Sequence, residues 1–460
     1  MQNAELKWRL RLERAPRHST FSKLNGLVII LKQLELRQAV PDILSMSHKS
    51  NDYSSNALSD LESRGHWGIK KGLNNIRELL IGLGNPENAY PAVLIAGTNG
   101  KGSTGAFLAH ALTSAGLKIG WTTSPHLISP SERIWINGRR ASENDLEQHL
   151  TQVFNVEAAR GIKATYFELT LAAALLAFNR ASVDLALVEV GMGGRWDATN
   201  ILNPILTILT NVALDHTAHL GDTLEAIAAE KLCTARSNRP LVIGPALNQE
   251  WLAPLCESKP NMLPSRPLDA EIHWDHSYIG GHLIKLAGAH QIHNLAIALR
   301  AIDALRDSGW NLDAGLVYSG LSDAEWPGRL WSAPGLSNVV FDGAHNTNGA
   351  EALANHMKKC GVRPHIFFSA MGDKDLSGMA KALAGANPLS VTLIPGEDPR
   401  CASLEAMRRA WREAGYSNAP FLTLVELVSK LKKNTSDIYL VTGSLYFLGR
   451  LMKELNIFLT

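Results

Sequence analysis

The chain has 460 residues, 45% of them hydrophobic, with 45 Lys and Arg against 43 Asp and Glu. That length exceeds a single hydrophobic core at about 150 residues per domain, and the near-neutral balance argues against a nucleic-acid surface, so any anion is expected to be held locally. The four cysteines, Cys233, Cys256, Cys360 and Cys401, form no CxxC pair, which speaks against a disulfide framework or zinc site, and the longest apolar runs fall far short of the ~20 residues that span a bilayer; a cytoplasmic protein with no membrane partner is expected.

Residues 1–40 hold eight Lys or Arg and three Glu, with an apolar run at Leu27, Val28, Ile29, Ile30 and Leu31. The acidic residues and the lack of a small-residue cleavage site weaken a transit-peptide reading. Residues 1–50 are therefore expected to be a disordered or weakly helical extension, with Met46 as an alternative start. The first informative element is the apolar run Ala92 to Ala96, which leads directly into Gly97-Thr98-Asn99-Gly100-Lys101-Gly102-Ser103-Thr104 and a helix-like stretch from Ala106 to Ala115. Strand, glycine loop and helix together make a phosphate cradle. Glycines turn N–H groups toward an anion, the helix N-terminus adds positive dipole, Lys101 supplies a mobile cation, and Ser103 or Thr104 offers a hydroxyl to Mg²⁺. Gly102 follows the lysine where the strict P-loop pattern has Ser or Thr, so the motif is a variant. ATP is the expected guest; a glycine-rich turn with no ligand is the alternative.

Further strands are predicted at Lys118–Thr122, Leu185–Val190, Ile205–Asn211 and Leu241–Gly244, separated by helical patterns. That alternation predicts a mostly parallel sheet covered on both faces. Polar residues follow these strands: Ser124 after the second, Glu189 at the end of the third, His216 beyond the fourth. A carboxylate at a strand end suits Mg²⁺, and an imidazole there suits a metal or a phosphate oxygen. A hydrogen-bonded histidine with no ligand is the plainer account of His216. Asp222 and Glu225 have N-cap and N3 spacing for a helix in which Leu224, Ile227, Ala228 and Lys231 share one face. A buried Lys231 would have a depressed pKa and a neutral amine able to capture CO₂ as a carbamate. Spacing alone favours the other reading, a packed stem with its head in solvent.

A second series of strands is predicted at Asn338–Phe341, His365–Ser369, Ser390–Pro395 and Asp437–Val441, with helices such as Gly349–Lys359 and Leu404–Ala414 between them. Phe341-Asp342-Gly343-Ala344-His345-Asn346 repeats the polar strand end, and Arg329 can reach phosphate or a carboxylate bidentately. Gly372-Asp373-Lys374-Asp375 and Gly443-Ser444 read as ordinary caps and turns. The economical fold class is α/β: a P-loop-type, mostly parallel N-terminal ATPase domain over residues 51–325, plus a smaller Rossmann-like α/β C-terminal domain over 326–460, with chemistry in the cleft between them.

Several ordered motifs then carry a resemblance. They are Gly84-Asn85-Pro86-Glu87, the loop Gly97–Thr104, Thr123-Ser124-Pro125-His126, Glu132-Arg133-Ile134, Thr165-Tyr166-Phe167-Glu168, the run Glu189–Asn200, Leu214-Asp215-His216-Thr217, Glu230-Lys231, His290-Gln291 with Asn294, Pro327-Gly328-Arg329, and Asp342-Gly343-Ala344-His345-Asn346. In this order the chain resembles the folylpolyglutamate synthase and dihydrofolate synthase family, within the Mur ligase superfamily, from about Leu58 to the C-terminus. The resemblance implies that Asn99, Gly100, Lys101, Gly102 and Ser103 hold ATP phosphates and that Ser124, Glu189 and His216 surround Mg²⁺. It makes Lys231 a carbamylated ligand of a second Mg²⁺, reversing the preference from spacing. It assigns Asn294, Arg329 and Asp342 to nucleotide, His345 to phosphate or the incoming glutamate, and Thr165, Tyr166, Phe167, Asp197 and Ala198 to a pterin substrate. Two departures stand out: Leu232-Cys233-Thr234 follows Lys231 where the family has Ala-Gly-Ile, and Thr347 stands where it has proline.

The activity implied is ATP-dependent addition of L-glutamate to dihydropteroate, to (poly)glutamylated tetrahydrofolate, or to both, through an acyl phosphate, by a monomer. Phosphoryl transfer needs alignment and charge neutralisation more than a protein nucleophile, which suits Lys101, Mg²⁺ and Arg329. The alternatives are a folylpolyglutamate synthase alone, a Mur-type amino-acid ligase, and, from a different class, a P-loop NTPase switch.

Overall fold

A computed structural model describes residues 56–65, 72–433 and 435–459. The extension expected over residues 1–50 lies outside them. The first strand, β1 (Ala92–Ala96), is buried at every position, as a strand covered on both faces must be. It is central in an eight-stranded sheet of order β4-β3-β2-β5-β1-β6-β7-β8, built from β2 (Ile119–Thr122), β3 (Ile134–Ile136), β4 (Arg139–Arg140), β5 (Leu185–Glu189), β6 (Leu206–Leu209), β7 (Pro240–Ile243) and β8 (Asn261–Pro264). Pairing is parallel from β2 across to β8 and antiparallel at the β3 and β4 edge.

Helices Lys101–Ser114, Gln291–Asp307 and Ala314–Asp323 cover one face, packing Phe107, Trp121, Ile208 and Ile302 into one core. Helices Asn74–Gly82, Glu143–Arg160 and Tyr166–Ala181 cover the other over Leu79, Phe154 and Phe178. The sequence explains the tight packing on the first face: Gly105 leaves room for the Trp121 indole, and Gly320 lets its helix press on the His110 carbonyl.

The C-terminal part is a four-stranded parallel sheet of order β12-β15-β13-β14. Its strands are β12 (Val339–Asp342), β13 (His365–Phe368), β14 (Ser390–Leu393) and β15 (Tyr439–Thr442). Helices Thr347–Cys360, Leu376–Ala384 and Leu404–Glu413 pack on one face, and Leu424–Leu431 and Leu445–Glu454 on the other. The eight strands predicted from sequence after Ala96 are all present. Three features were not anticipated: the antiparallel edge strands β3 and β4, the opposite edge strand β8, and a three-stranded antiparallel sheet of β9 (Glu271–Ile272), β10 (Ser277–Ile279) and β11 (His282–Ile284).

The two lobes share a packed seam. Leu127 and Ile128, from the loop after β2, join the core under the last helix, while Trp274 and Ala287 join the core on the opposite face of the small sheet. At Gly449 the last helix lies directly against the Leu127 carbonyl, so a methyl there would overlap that oxygen. Gly449→Ala must therefore push the helix outward, at a cost of about 1–3 kcal/mol for overpacking. Thermal unfolding of that variant is expected to begin several degrees below wild type with an unchanged far-ultraviolet circular dichroism spectrum at room temperature.

Candidate active site

The chain reverses direction around β1: the connection from β1 to β2 runs toward one edge of the sheet, and that from β5 to β6 crosses β1 toward the other. Open α/β sheets bind ligands in the crevice beyond such strand ends. Here that crevice is a cleft of about 810 Å³, lined from the large sheet by the loop Gly97–Ser103, Glu189 and Asn211, and from the small one by Asp342, His345 and Asn348. Its size falls in the range of small-molecule sites.

Gly97 and Gly100 have φ of 145° and 84°, which favour glycine. The surroundings demand glycine as well, because a Cβ on Gly97 would overlap the Thr210 hydroxyl and one on Gly100 the Asn294 side-chain oxygen. The helix begins at Lys101, five residues earlier than the apolar pattern suggested, so the loop feeds straight into its N-terminus. Gly102, the departure from the strict phosphate-loop pattern, sits where a Cβ would meet Trp326 Nε1 at 2.8 Å. Ser103 lines the cleft, whereas Thr104 is fully buried and lines no part of it.

Lys101 Nζ donates to the Gly97 and Thr98 carbonyls at 3.0 and 3.1 Å. Lys231 Nζ donates to the same Gly97 carbonyl at 3.1 Å. Lys231 is 5% exposed, so its head does not reach solvent and the packed-stem reading is set aside. Burial, then the Lys101 charge, bring its pKa down to about 7. Its helix, Leu224–Leu232, is capped by Thr223, whose hydroxyl accepts from Ala226 N–H. The expected cap at Asp222 is thus one residue off. Ile227, Ala228 and Lys231 face inward as predicted, but Leu224 is exposed.

Glu189 is buried at the end of β5, accepting from Thr123 Oγ1 at 2.5 Å and Ser124 N–H at 3.4 Å. Burial pushes its carboxyl up, opposed by the Lys101 charge. Ser124, Glu189, His216 and Lys231, the predicted metal set, all line the cleft. Among the described residues no three His, Cys, Asp or Glu side chains converge on one point. That donor set fits Mg²⁺, which is commonly bound by one or two protein groups and completed by phosphate and water.

The small sheet reaches into the site through groups the sequence reading undervalued. Lys374, read as part of a turn, pairs with Asp215 at 2.9 Å across 159 residues of chain, the two side chains 10% and 7% exposed. Asn346 Nδ2 donates to Asp215 at 2.9 Å and to Asn99 Oδ1 at 3.0 Å, and Asn99 Nδ2 donates to Asn348 Oδ1 at 2.8 Å. Asn99, first of the predicted phosphate-binding residues, is therefore held from both lobes. Burial works to raise the Asp215 carboxyl, but His216, Lys374 and His345 outweigh it and hold it well below the usual carboxylate range. Burial lowers His216 and brings His345 to about 4. No sequence spacing signals these partners; their polar residues at strand ends were the available hint.

Asn294 donates to Gln291 Oε1 at 2.7 Å, which turns it against Gly100. Asp342 accepts from Leu330 and Ala344 N–H groups at 3.0 and 2.9 Å, with the Arg329 guanidinium nearby; burial raises that carboxyl, and the arginine opposes the rise. A second, mostly apolar cavity of about 310 Å³ adjoins the cleft, sharing Ser124, His216 and His345 with it. Thr165, Tyr166, Phe167, Asp197 and Ala198 all line it. Two of these also have structural tasks: Thr165 caps helix Tyr166–Ala181, and Asp197 accepts from Met192 N–H at 2.9 Å and Thr199 N–H at 3.0 Å. Arg133, not among the predicted residues, lies over the Tyr166 ring, 5.0 Å from its centroid.

A parallel-sheet lobe bearing a phosphate loop, closed by a smaller α/β lobe, is the architecture of Mur ligases. Residues 95–237 match the Mur ligase middle domain and residues 331–445 the Mur ligase glutamate ligase domain. A probable dihydrofolate synthetase of Schizosaccharomyces pombe is 34% identical over 85% of this chain and 99% of its own. Escherichia coli FolC in complex with DHPP and ADP aligns with a TM-score of 0.74 at 28% identity, covering 88% and 98% of the two chains. A bifunctional folylpolyglutamate synthase/dihydrofolate synthase from Yersinia pestis, complexed with AMPPNP and Mn ion, gives 0.73 at 28% over 88% and 99%. The chain belongs to the dihydrofolate synthase and folylpolyglutamate synthase family.

The folded state binds fewer protons at Asp215 than the unfolded chain, so stability is full above the ordinary carboxylate value of about 4 and falls as pH drops below it. Asp215→Asn is expected to be less stable at pH 7, on the scale of about 3–5 kcal/mol for a broken buried pair. Its urea midpoint should also fall less steeply than wild type's between pH 4 and 2; an unchanged acid slope would show that Asp215 carries no such coupling.

Proposed function

We propose that this chain is an ATP-dependent ligase that joins L-glutamate to the carboxylate of dihydropteroate, of (poly)glutamylated tetrahydrofolate, or of both. The observation that carries this reading is the meeting of the Lys101 and Lys231 amines on the Gly97 carbonyl, beside buried Glu189, in a cleft that an apolar cavity adjoins at Ser124, His216 and His345. ATP phosphates are assigned to the loop Asn99–Ser103, the nucleoside to Asn294, Arg329 and Asp342, and the flat ring of the acceptor to the cavity lined by Tyr166, Phe167 and Ala198. The Escherichia coli relative in complex with DHPP and ADP supports placing both ligands in one molecule, and the Yersinia pestis one with AMPPNP and Mn ion supports a divalent cation.

In this reading Lys101 leaves the loop carbonyls to follow the transferring phosphoryl group, and Arg329 offsets charge on its oxygens. Ser124, Glu189 and His216 are the residues that would hold Mg²⁺, which when bound screens phosphate charge and aligns the acceptor oxygen. Lys231, neutral above about pH 7, is assigned a carbamate that would serve a second Mg²⁺. The acceptor carboxylate becomes an acyl phosphate, the glutamate amine attacks it near His345, and inorganic phosphate leaves. Closure of two lobes, assigned to residues 51–325 and 326–460, keeps water from the acyl phosphate. Both walls come from one chain and all four cysteines are free, and we place the enzyme in the cytoplasm as a monomer.

The deciding assay supplies ATP, Mg²⁺ and labelled glutamate with dihydropteroate or tetrahydrofolate and identifies products by mass. Equal ATP turnover with and without glutamate and acceptor would instead mark an NTPase switch. Lys101→Ala should reduce ligation by about 10²–10³-fold, the scale of losing one transition-state donor, with unchanged circular dichroism. Lys231→Ala should abolish it and recover partly on addition of short carboxylates. With ¹³C-bicarbonate, a carbamate carbon resonance should strengthen as pH rises through 7 and be missing from Lys231→Ala; its presence in that variant would refute the assignment.

A further inference from the structure

The helix Thr347–Cys360 forms one wall of the cleft through Asn348, Glu351, Ala352, Asn355 and Lys359, the i, i+3, i+4 pattern of a single face. His356, one turn beyond Ala352 on the flank of that face, is completely buried, and both ring nitrogens engage main chain of the opposite lobe. Ala289 N–H donates to Nδ1 at 3.2 Å, and Nε2 lies 3.0 Å from the Trp274 carbonyl oxygen. A main-chain N–H can only donate and a carbonyl only accept, so the ring is the neutral tautomer with its proton on Nε2. Its plane stacks on the Trp274 indole with centroids 5.2 Å apart and 13° between planes. Burial holds the ring below the usual histidine value, so it stays neutral at physiological pH.

What His356 grips leads to the phosphate loop. Ala289 and His290 precede the helix Gln291–Asp307. One turn in, Asn294, oriented by Gln291, lies against Gly100. Ala289, His290, Gln291 and Asn294 all line the cleft. A single side chain of the C-terminal lobe thus fixes the start of the helix that shapes the N-terminal wall.

We propose that His356 is a positioning residue for nucleotide: by accepting from Ala289 N–H across the seam it sets the spacing between the cleft walls that ATP must fit. This rests on the reading of the cleft as the ATP site. His356 touches no reacting atom, and its effect falls on nucleotide affinity, leaving the glutamate and acceptor steps unchanged.

Three substitutions separate the contacts. His356→Asn keeps an oxygen where Nδ1 accepts from Ala289, His356→Gln keeps an N–H where Nε2 donates to Trp274, and His356→Phe keeps only the stack. ADP with Mg²⁺ is titrated into each full-length protein by calorimetry, and KM for ATP, glutamate and acceptor is measured alongside kcat. His356→Gln and His356→Phe should bind ADP about tenfold more weakly and raise KM for ATP by a similar factor, the scale of one buried N–H losing its acceptor. His356→Asn should stay near wild type, and kcat at saturating ATP and the other KM values should not move. If wild type binds no ADP, the nucleotide reading of the cleft fails. If wild type binds and all three variants match it, or His356→Gln is spared while His356→Asn is not, the positioning role is overturned. Should His356→Phe fail to fold, the comparison of the Asn and Gln variants still decides.

Discussion

Two lysine amines share one carbonyl oxygen. Lys101 and Lys231, 130 residues apart in sequence, both end on Gly97 O, and much of the molecule can be understood from what that requires. Two ammonium groups at one oxygen repel each other, and burial removes the water that would screen them. The folded chain resolves the conflict by releasing the proton from the more buried amine, so Lys231 titrates near 7. The glycines at 97 and 100 let Thr210 and Asn294 close on the loop that presents this carbonyl, and the buried carboxylate of Glu189 supplies opposite charge beside it. The result is a pocket whose charge is balanced best when anions enter it.

The site is completed only by a second lobe. Asn99 is bonded from the loop after β6 through Asn211 and from the C-terminal lobe through Asn346 and Asn348. A loop bonded on both sides has little freedom, and such preorganisation spares a phosphate site the reorganisation that solvent would require. The same seam carries the Asp215 and Lys374 pair, whose strength depends on both charges being nearly excluded from water.

Much of this was legible in the chain itself. Parallel strands announced themselves as short apolar runs, and the glycine loop between β1 and its helix marked one wall of the cleft. Elements defined by weak local signals were missed: β9, β10 and β11 are two or three residues long, too short for alternation to register. Helix starts were blurred for a related reason. Lys101-Gly102-Ser103-Thr104 carries no apolar stripe, although it is the first helical turn, and Asp222 and Thr223 are both competent caps. Lys374 and His356 illustrate a different limit. Their partners lie 159 and 67 residues away, and periodicity speaks only of near neighbours.

The crossing between lobes also has an unusual address. Trp326 opens the connection leading to Arg329, yet its indole lies tilted on Trp121 with centroids 4.6 Å apart and fills the space that Gly102 leaves. That indole is thus wedged beneath the first turn of the helix Lys101–Ser114. A side chain at the start of the connection thereby braces that turn from below, so the helix after the glycine loop and the chain leading to Arg329 share one indole as a common wall.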